Sequence, residues 1–175
     1  MMLATALSYD DVLLVPKYSD IVSRKEVSIA TELDCGRSFE LPIISSPMDT
    51  VTEAKMANAI QSKGGLGVIH RYNSIEEQAD LVRRVRYEHK AAAIGISGDY
   101  MERAAALVES GANILCLDVA HGHHILMKEA LMKIKTLYGE DVHIMAGNVA
   151  TKQGFEDLAR WGADSIRCNI GGGSI

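Results

Sequence analysis

Short apolar runs alternate with amphipathic stretches from Leu41 to the end of the 175-residue chain, and this alternation limits the possible folds most strongly. Strands that are apolar along their length, separated by amphipathic helices, indicate a parallel sheet covered by helices. The pattern predicts six strands and five helices. It is typical of a doubly wound α/β sheet and equally of a TIM barrel, and periodicity alone does not separate the two.

The boundaries of the predicted elements follow from these runs. The strands are predicted at 41–49, 65–70, 91–97, 113–121, 141–150 and 163–170, and the helices at 52–65, 74–90, 99–111, 123–139 and 151–162. Ser74 lies three residues before Glu77, which is the spacing of a capping box at a helix start. Residues 1–40 show turn signals without a sustained period, so we expect an irregular segment there, within one domain that spans 1–175.

The composition excludes several classes of function. The net charge is -5 at pH 7, so neither nucleic acid nor a membrane is an expected partner, because both repel an acidic chain. No apolar run approaches the roughly 20 residues of a membrane-spanning helix, and the N-terminus lacks the features of a signal peptide. Three scattered cysteines, Cys35, Cys116 and Cys168, indicate reduced thiols rather than a disulfide framework. We therefore expect a cytoplasmic protein.

Polar residues gather where each predicted strand ends. They are Ser45, Ser46, Asp49, His70, Arg71, Ser97, Asp118, His121, Asn148 and the glycines of the final segment. Both candidate folds bind ligands at the carboxyl ends of their strands. The sequence therefore predicts a small-molecule site on one face of the sheet.

Several of these residues have two interpretations. Asp118 either accepts hydrogen bonds from ribose hydroxyls or caps a helix. Arg167 forms a surface salt bridge or contacts a phosphate or base, and Asn148 is a turn residue, the favoured interpretation, or an amide that reads a base. The GGGS segment at 171–174 is an anion-binding nest, a set of carbonyls facing a cation, or a flexible turn.

Other motifs point away from metal binding and from a visible nucleophile. The HGHH segment at 121–124 lies in a loop that enters a helix and has no nearby ligands at suitable spacing, so a metal site is disfavoured. Cys116 and Cys168 fall inside predicted strands, where cysteine usually behaves as an inert small hydrophobe. The residues themselves thus indicate a binding face without a convincing catalytic nucleophile.

Seven segments together closely resemble the IMP dehydrogenase/GMP reductase family. In chain order they are YDDVLLVPKYS, SSPMDTVTEAKMA, GGLGVIHR, SIEEQADLVRRV, LDVAHGH, AGNVAT and GGGSI, and they cover almost the whole chain. The resemblance implies a TIM (β/α)8 barrel, of which this chain would contain about the first six strands and five helices. It also implies a catalytic cysteine directly after Ile175, so that this chain would hold no catalytic residue itself.

The same resemblance assigns roles to residues of this chain. The purine nucleotide would be contacted by Ser46, Met48, Asn148, Arg167, Gly173, Ser174 and Ile175. Asp118 would hold the nicotinamide ribose of NAD, and His70 would lie near the cofactor. The carbonyl groups of Gly171 and Gly173 would bind a monovalent cation, usually K⁺.

The implied reaction is the NAD-dependent oxidation of IMP to XMP through a cysteine thioimidate, in guanine nucleotide synthesis. GMP reductase, which converts GMP to IMP with NADPH, is the alternative within the family, and a non-catalytic nucleotide-binding fragment is the alternative outside it. SSPMDTVTEA favours the dehydrogenase, whereas LDVAHGH and the direct passage from RYEHK to AAAIGIS, without CBS modules, lean toward the reductase.

Two further expectations concern completeness and cation geometry. Asn169 stands where the family generally has glycine, and Gly172 where serine or proline is common, so the segment around the implied cation site departs from the family pattern. A barrel with six strands exposes two unpaired edges, which favour association. We therefore expect the chain alone to be inactive and to need a complementary C-terminal half, within a homo-oligomer that is a tetramer in the family.

Overall fold

The computed structural model describes residues 11–34, 36–139 and 141–169. In chain order the strands and helices are β1 Thr31–Asp34, β2 Arg37–Phe39, β3 Ile44–Ser45, α1 Ala54–Gln61, β4 Leu66–Ile69, α2 Ile75–Arg83, β5 Ala91–Ile94, α3 Tyr100–Glu109, β6 Ile114–Asp118, α4 Ile125–Tyr138, β7 His143–Val149, α5 Lys152–Arg160 and β8 Ser165–Cys168. A single turn of 3-10 helix precedes them at Arg24–Glu26.

The main sheet contains the strands β3 to β8, and every neighbouring pair is parallel. Their order in the sheet is the order in the chain. A doubly wound sheet reverses its strand order at a switch point, whereas a TIM barrel adds each new strand beside the previous one. The topology is therefore that of the first part of a (β/α)8 barrel, and the predicted six strands and five helices are confirmed.

The sheet has an apolar core on each face, because successive side chains of a strand point to opposite sides. The outer face packs against the helices and includes Leu115, Leu117 and Ile144. The inner face includes Cys116 and Met145. This alternation decides which side chains of each strand reach the barrel interior.

The start of α2 follows the predicted capping box, but its end does not follow the prediction. Ser74 Oγ accepts from the Glu77 amide, and the Glu77 carboxylate accepts from the Ser74 amide. The helix ends at Arg83 rather than near residue 90. Asn58 on α1 donates to the Arg84 carbonyl at 3.0 Å and accepts from the Arg86 amide at 2.8 Å, which engages the backbone beyond the helix.

The hairpin formed by β1 and β2 lies in the segment that was predicted to be irregular, and that prediction is wrong for 31–34 and 37–39. Its contacts are long-range, so no local period marks it. Asp34 accepts from Arg37 Nη1 at 2.7 Å and from His143 Nδ1 at 2.5 Å, and Phe39 joins the inner core. The hairpin therefore contacts the amino ends of the central strands.

A buried polar network joins β5, α2 and α3. Gln78 Nε2 donates to the Ala93 carbonyl at 2.7 Å, and Arg103 Nη1 donates to Gln78 Oε1 at 2.8 Å. The other guanidinium nitrogen donates to the Asn73 carbonyl at 3.2 Å and to Asp99 at 2.8 Å. The network thus fixes the loops that leave β4 and β5 at the carboxyl end of the sheet.

Apolar side chains remain exposed at several places in the described part of the chain, of which two lie beside the hairpin and the sheet edge. Leu13 and Leu14 are 95% and 97% exposed in the extended segment before the hairpin, and Ile43 and Ile44 are exposed at the β3 edge of the sheet. None of the described helices combines the length and the hydropathy that crossing a membrane requires.

Candidate functional site

The predicted site residues lie at the carboxyl ends of the parallel strands, as the sequence pattern predicts. Asp118 ends β6, Asn148 lies near the end of β7 and Arg167 lies on β8. Because these three strands are neighbours, the structure brings these residues to one part of the edge. His70 follows β4 and Ser46 follows β3, so they form a second group, separated from the first by β5.

Asp118, Gly147 and Arg167 form a row across three strands on the inner face. Gly147 is the register partner of Asp118 on one side and of Arg167 on the other. Arg167 Nη1 donates to Asp118 Oδ1 across this glycine, so the two flanking side chains form an ion pair. Asp118 does not cap a helix, because His124 caps α4. Arg167 does form a salt bridge, as one of its two interpretations predicts, but with a partner on the inner face, and both side chains are half-buried.

The electrostatics of this row keep the arginine charged and the neighbouring cysteine neutral. Burial acts to lower the pKa of Arg167, but the charges and hydrogen bonds of Cys116 and Asp118 outweigh it and raise that pKa above its ordinary value. Burial raises the pKa of Cys116 to about 12, and the Arg167 charge offsets this only in part. Cys116 is therefore a thiol packed in the core, as predicted, and is unsuited to nucleophilic attack.

The backbone around Asn148 attaches the loop after β6 to the end of β7. The Asn148 amide donates to the Val119 carbonyl at 2.8 Å, and the Asn148 carbonyl accepts from the Gly122 amide at 2.7 Å. Asn148 lies inside β7, so the favoured interpretation as a turn residue is wrong. The position of Asn148 at the carboxyl edge of the sheet suits a side-chain amide that contacts a ligand.

The loop after β3 is braced by a hydroxyl that the sequence analysis did not identify. Thr52 Oγ1 donates to the Ser46 carbonyl at 2.6 Å and accepts from the Ser45 hydroxyl at an oxygen–oxygen distance of 2.9 Å. The Thr52 carbonyl accepts from the His70 amide at 3.3 Å, which joins the loops after β3 and β4. Ser46 and Met48 are exposed on this braced loop, where a ligand can reach them.

The HGHH segment forms local and helix-directed contacts. His124 Nδ1 accepts from the Leu126 amide at 3.2 Å, and His123 Nε2 lies 2.9 Å from Asp157 on α5. Among the residues that the structure describes, no group of three or more His, Cys, Asp or Glu side chains is arranged to hold a metal ion.

The exposure of Cys168 differs from the expectation of an inert, buried strand residue. Cys168 was predicted to be an inert strand residue, but it is exposed because β8 is the outermost strand of the sheet. The glycine-rich segment with its substrate and cation residues, Gly171, Gly173, Ser174 and Ile175, is beyond the described residues.

Comparisons with known proteins agree with this fold. Residues 6–175 match the family model described as IMP dehydrogenase / GMP reductase domain. Inosine-5'-monophosphate dehydrogenases from Borreliella burgdorferi and Cryptosporidium parvum are both 34% identical, over 97% of this chain and 54% and 52% of their own lengths. The crystal structure of the enzyme from Legionella pneumophila superimposes with a TM-score of 0.87 at 40% identity, covering 98% of this chain and 53% of that one.

This chain therefore spans about half the length of the curated relatives that it matches. The strand order and helices agree with the barrel of the solved relative. Since the family model covers nearly all of the sequence, the chain belongs to the IMP dehydrogenase/GMP reductase family.

Proposed function

We propose that this chain is the N-terminal part of an IMP dehydrogenase, which oxidises IMP to XMP with NAD. The observation that carries the proposal is the row of Asp118, Gly147 and Arg167 at the carboxyl edge of a parallel sheet. It places a carboxylate and a guanidinium, with Asn148 beside them, where barrel enzymes bind their substrates. The family relationship supports this choice of substrate and reaction.

The substrate side of the site is proposed to contain Ser46, Met48, Asn148 and Arg167, followed by Gly173, Ser174 and Ile175. A purine nucleotide presents a base with hydrogen-bonding edges and a phosphate. The side-chain carboxamide of Asn148 offers both donors and an acceptor. The Arg167 guanidinium retains donors beyond the one used for Asp118. These groups are suited to orienting the purine over the end of the sheet.

The residues of β6 fit the proposed cofactor. Arg167 engages Oδ1 of Asp118, and an ionised carboxylate has further lone pairs on both oxygens for two ribose hydroxyls. When bound, NAD would supply a nicotinamide that accepts hydride from the purine. The role of Asp118 is to orient the ribose, while the ion pair with Arg167 fixes the direction of the carboxylate.

The nucleophile is proposed to be a cysteine that directly follows Ile175 and forms a thioimidate with the purine. Cys116 does not fill this role, because its thiol is fully buried and has a pKa of about 12. K⁺ bound by the carbonyl groups of Gly171 and Gly173 is proposed to order the loop before that cysteine.

The active assembly is proposed to require a complementary C-terminal half and to be a tetramer. The exposed apolar side chains at Leu13, Leu14 and Ile44 support the need for further protein against this chain. The outer strands β3 and β8 each have one strand neighbour in the described sheet, which leaves edges for additional strands.

GMP reductase is kept as a second candidate because of one observation. The segment between α2 and β5 runs only from Arg84 to Lys90, so no regulatory CBS pair is inserted there. Within the family this compactness resembles the reductase, which would convert GMP to IMP with NADPH.

Reconstitution tests these alternatives directly. The whole chain is co-expressed with the C-terminal half of a family member, and NADH formation with IMP is compared with NADPH oxidation with GMP, each in K⁺ and in Na⁺. IMP-dependent NADH formation supports the dehydrogenase, and GMP-dependent NADPH oxidation supports the reductase. A complex that binds nucleotide without turnover with either pair would leave a non-catalytic binding module and overturn the proposal.

A further inference from the structure

A concave site lies at the amino ends of β4 and β5, at the opposite end of the sheet from the Asp118–Arg167 pair, and we call it the amino-end site. It is lined by 38–40 on the hairpin side, by Gln61 and the glycines at 64–65 behind α1, and by 87–89 just before β5. Its volume is about 240 Å³. Sites for drug-sized molecules run from about 300 to 1,000 Å³, so this site suits a ligand of one or two rings.

Contacts within the chain hold the walls of the amino-end site in place. The Leu41 amide donates to the Gly64 carbonyl at 3.0 Å, which joins the exit of the hairpin to the turn behind α1. The ring of Phe39 packs against the ring of His89, with 5.1 Å between their centroids, which joins the hairpin to the segment before β5. The concave shape is therefore built by the chain itself.

Two buried polar atoms of lining residues have no hydrogen-bond partner within the described part of the chain. They are Nε2 of Gln61 and Nδ1 of His89. Buried polar atoms normally have a partner, so a ligand that supplies both partners would complete the site. The Gln61 nitrogen can only donate, whereas His89 Nδ1 donates or accepts according to its tautomer. The ligand must therefore carry at least one acceptor.

The side chains around these atoms favour a flat heterocycle. The Gln61 carboxamide holds an acceptor oxygen beside its donor nitrogen, and this arrangement pairs with the donor and acceptor on the edge of a nucleobase. Phe39, Tyr87 and His89 supply aromatic surface against which a ring packs. A ligand with polar edges and apolar faces matches both features.

The charges of the amino-end site exclude other classes of ligand. Its lining contains the carboxylates of Glu40 and Glu88 but no lysine or arginine, so a phosphate placed there would be repelled. An ammonium group has three donors and no acceptor, so it would leave Gln61 Nε2 unpaired. A metal ion is disfavoured, because no three suitable ligands come together among the residues that the structure describes. The ligand is therefore uncharged.

We propose that the amino-end site binds an uncharged nucleobase, with the Gln61 carboxamide paired to the donor and acceptor on one edge of the base and His89 Nδ1 bonded to a second polar atom. A sugar or phosphate attached to the base lies outside the site. This inference does not rest on the proposed function, because no residue of the amino-end site belongs to the carboxyl edge of the sheet.

The test is calorimetric titration of the whole chain with adenine, N6,N6-dimethyladenine and AMP. Adenine offers a donor at N6 and an acceptor at N7 to the Gln61 carboxamide, and the two methyl groups remove that donor. We expect dimethyladenine to bind about tenfold more weakly, because a polar group of the site is left unpaired. AMP is also expected to bind more weakly than adenine. Absence of adenine binding at millimolar concentration, or equal binding of adenine and its dimethyl derivative, overturns the proposal.

Two variants connect the binding to the site. Gln61→Leu removes the carboxamide and spares folding, because its buried nitrogen has no partner in the described chain. His89→Phe keeps a ring beside Phe39 and removes Nδ1. Both are expected to weaken adenine binding about tenfold, whereas the control Gln153→Leu, on α5 and outside the site, is expected to leave it unchanged. Unchanged binding in both site variants contradicts the proposal.

Asp118→Asn separates this inference from the proposed function. We expect this variant to bind adenine as the unaltered chain does, because Asp118 ends β6 at the opposite end of the sheet. Loss of adenine binding in Asp118→Asn would place the base at the carboxyl edge and overturn the amino-end site. Adenine binding that persists in a chain whose reconstituted enzyme turns over neither IMP nor GMP would support the amino-end site while the proposed function fails.

Discussion

Arg167 reaches Asp118 across Gly147, and the absence of a side chain on that glycine makes the contact possible. The three residues are in register on β6, β7 and β8. A Cβ atom on Gly147 would lie 2.7 Å from Cβ of Arg167 and 2.7 Å from its carbonyl oxygen. The glycine thus belongs to the candidate site because of the space that it leaves.

Gly147→Ala is expected to displace β8 and separate the ion pair. Forced overpacking of this kind typically costs about 1–3 kcal/mol of unfolding free energy. Urea unfolding measures the cost, and the NMR signal of the Arg167 guanidinium reports the pair. The matched control is Gly95→Ala, where the nearest atom to an added Cβ is 3.6 Å away. Equal stability of the two variants would show that β8 adjusts without strain.

Asp118→Asn is expected to weaken NAD binding in the assembled enzyme. The amide keeps the shape of the side chain but removes the charge that pairs with Arg167 and that we propose accepts from ribose hydroxyls. The loss of charge-assisted hydrogen bonds predicts at least about tenfold weaker binding. Asp141→Asn, at an exposed carboxylate before β7, serves as the control. An unchanged NAD affinity in Asp118→Asn would remove Asp118 from the cofactor site.

The two described cysteines are expected to differ sharply in reactivity. Cys116 is fully buried with a pKa of about 12, so almost no thiolate is present at neutral pH. Cys168 is exposed. Brief treatment with iodoacetamide, followed by peptide mass spectrometry, should label Cys168 and leave Cys116 unlabelled until urea is added. Labelling of Cys116 at the rate of Cys168 in the folded chain would mean that the β6 core opens.

The features that the sequence predicted correctly depend on local patterns. The alternation of strands and helices and the Ser74 capping box are encoded within a few residues, so each was found at its place. The polar residues at strand ends were also found, because a parallel sheet collects all carboxyl ends at one edge. The choice of the barrel came from the family resemblance, since periodicity does not specify strand order.

The features that were missed depend on contacts between distant residues. Arg167 and Asp118 are 49 positions apart, and Asp34 and His143 are 109 apart. Which residues face each other across a sheet is set by register, and no local pattern contains it. The predicted length of α2 was likewise too great. The backbone just after the helix, at Arg84, bonds to Asn58 on α1, and the local sequence does not reveal such a distant contact.

His143 and Asp34 make the contact between the hairpin and β7 sensitive to pH. His143 Nδ1 lies 2.5 Å from an Asp34 carboxylate oxygen, to which it donates, and His143 Nε2 lies 2.8 Å from Ser165 Oγ, a hydroxyl that can donate to a neutral ring. Burial lowers the pKa of His143 below its ordinary 6.5, although the Asp34 and Asp164 carboxylates act to raise it and Arg37 acts with burial. Burial acts to raise the pKa of Asp34, but hydrogen bonds from Gly36, His143 and Arg37 lower it to about 2.

Stability is therefore expected to fall in acid in two steps. Below pH 6.5 the unfolded chain binds a proton on His143 that the folded chain does not, so unfolding becomes easier as the pH falls toward the lowered pKa of the folded state. The Asp34 contribution is lost later, as the pH falls from 3.8 to about 2. Urea unfolding between about pH 5 and 8 measures the first step. His143→Gln, which keeps a donor and an acceptor, should flatten this dependence, whereas His121→Gln, at an exposed histidine, should not. A pH dependence that survives His143→Gln unchanged would assign the acid sensitivity to another group.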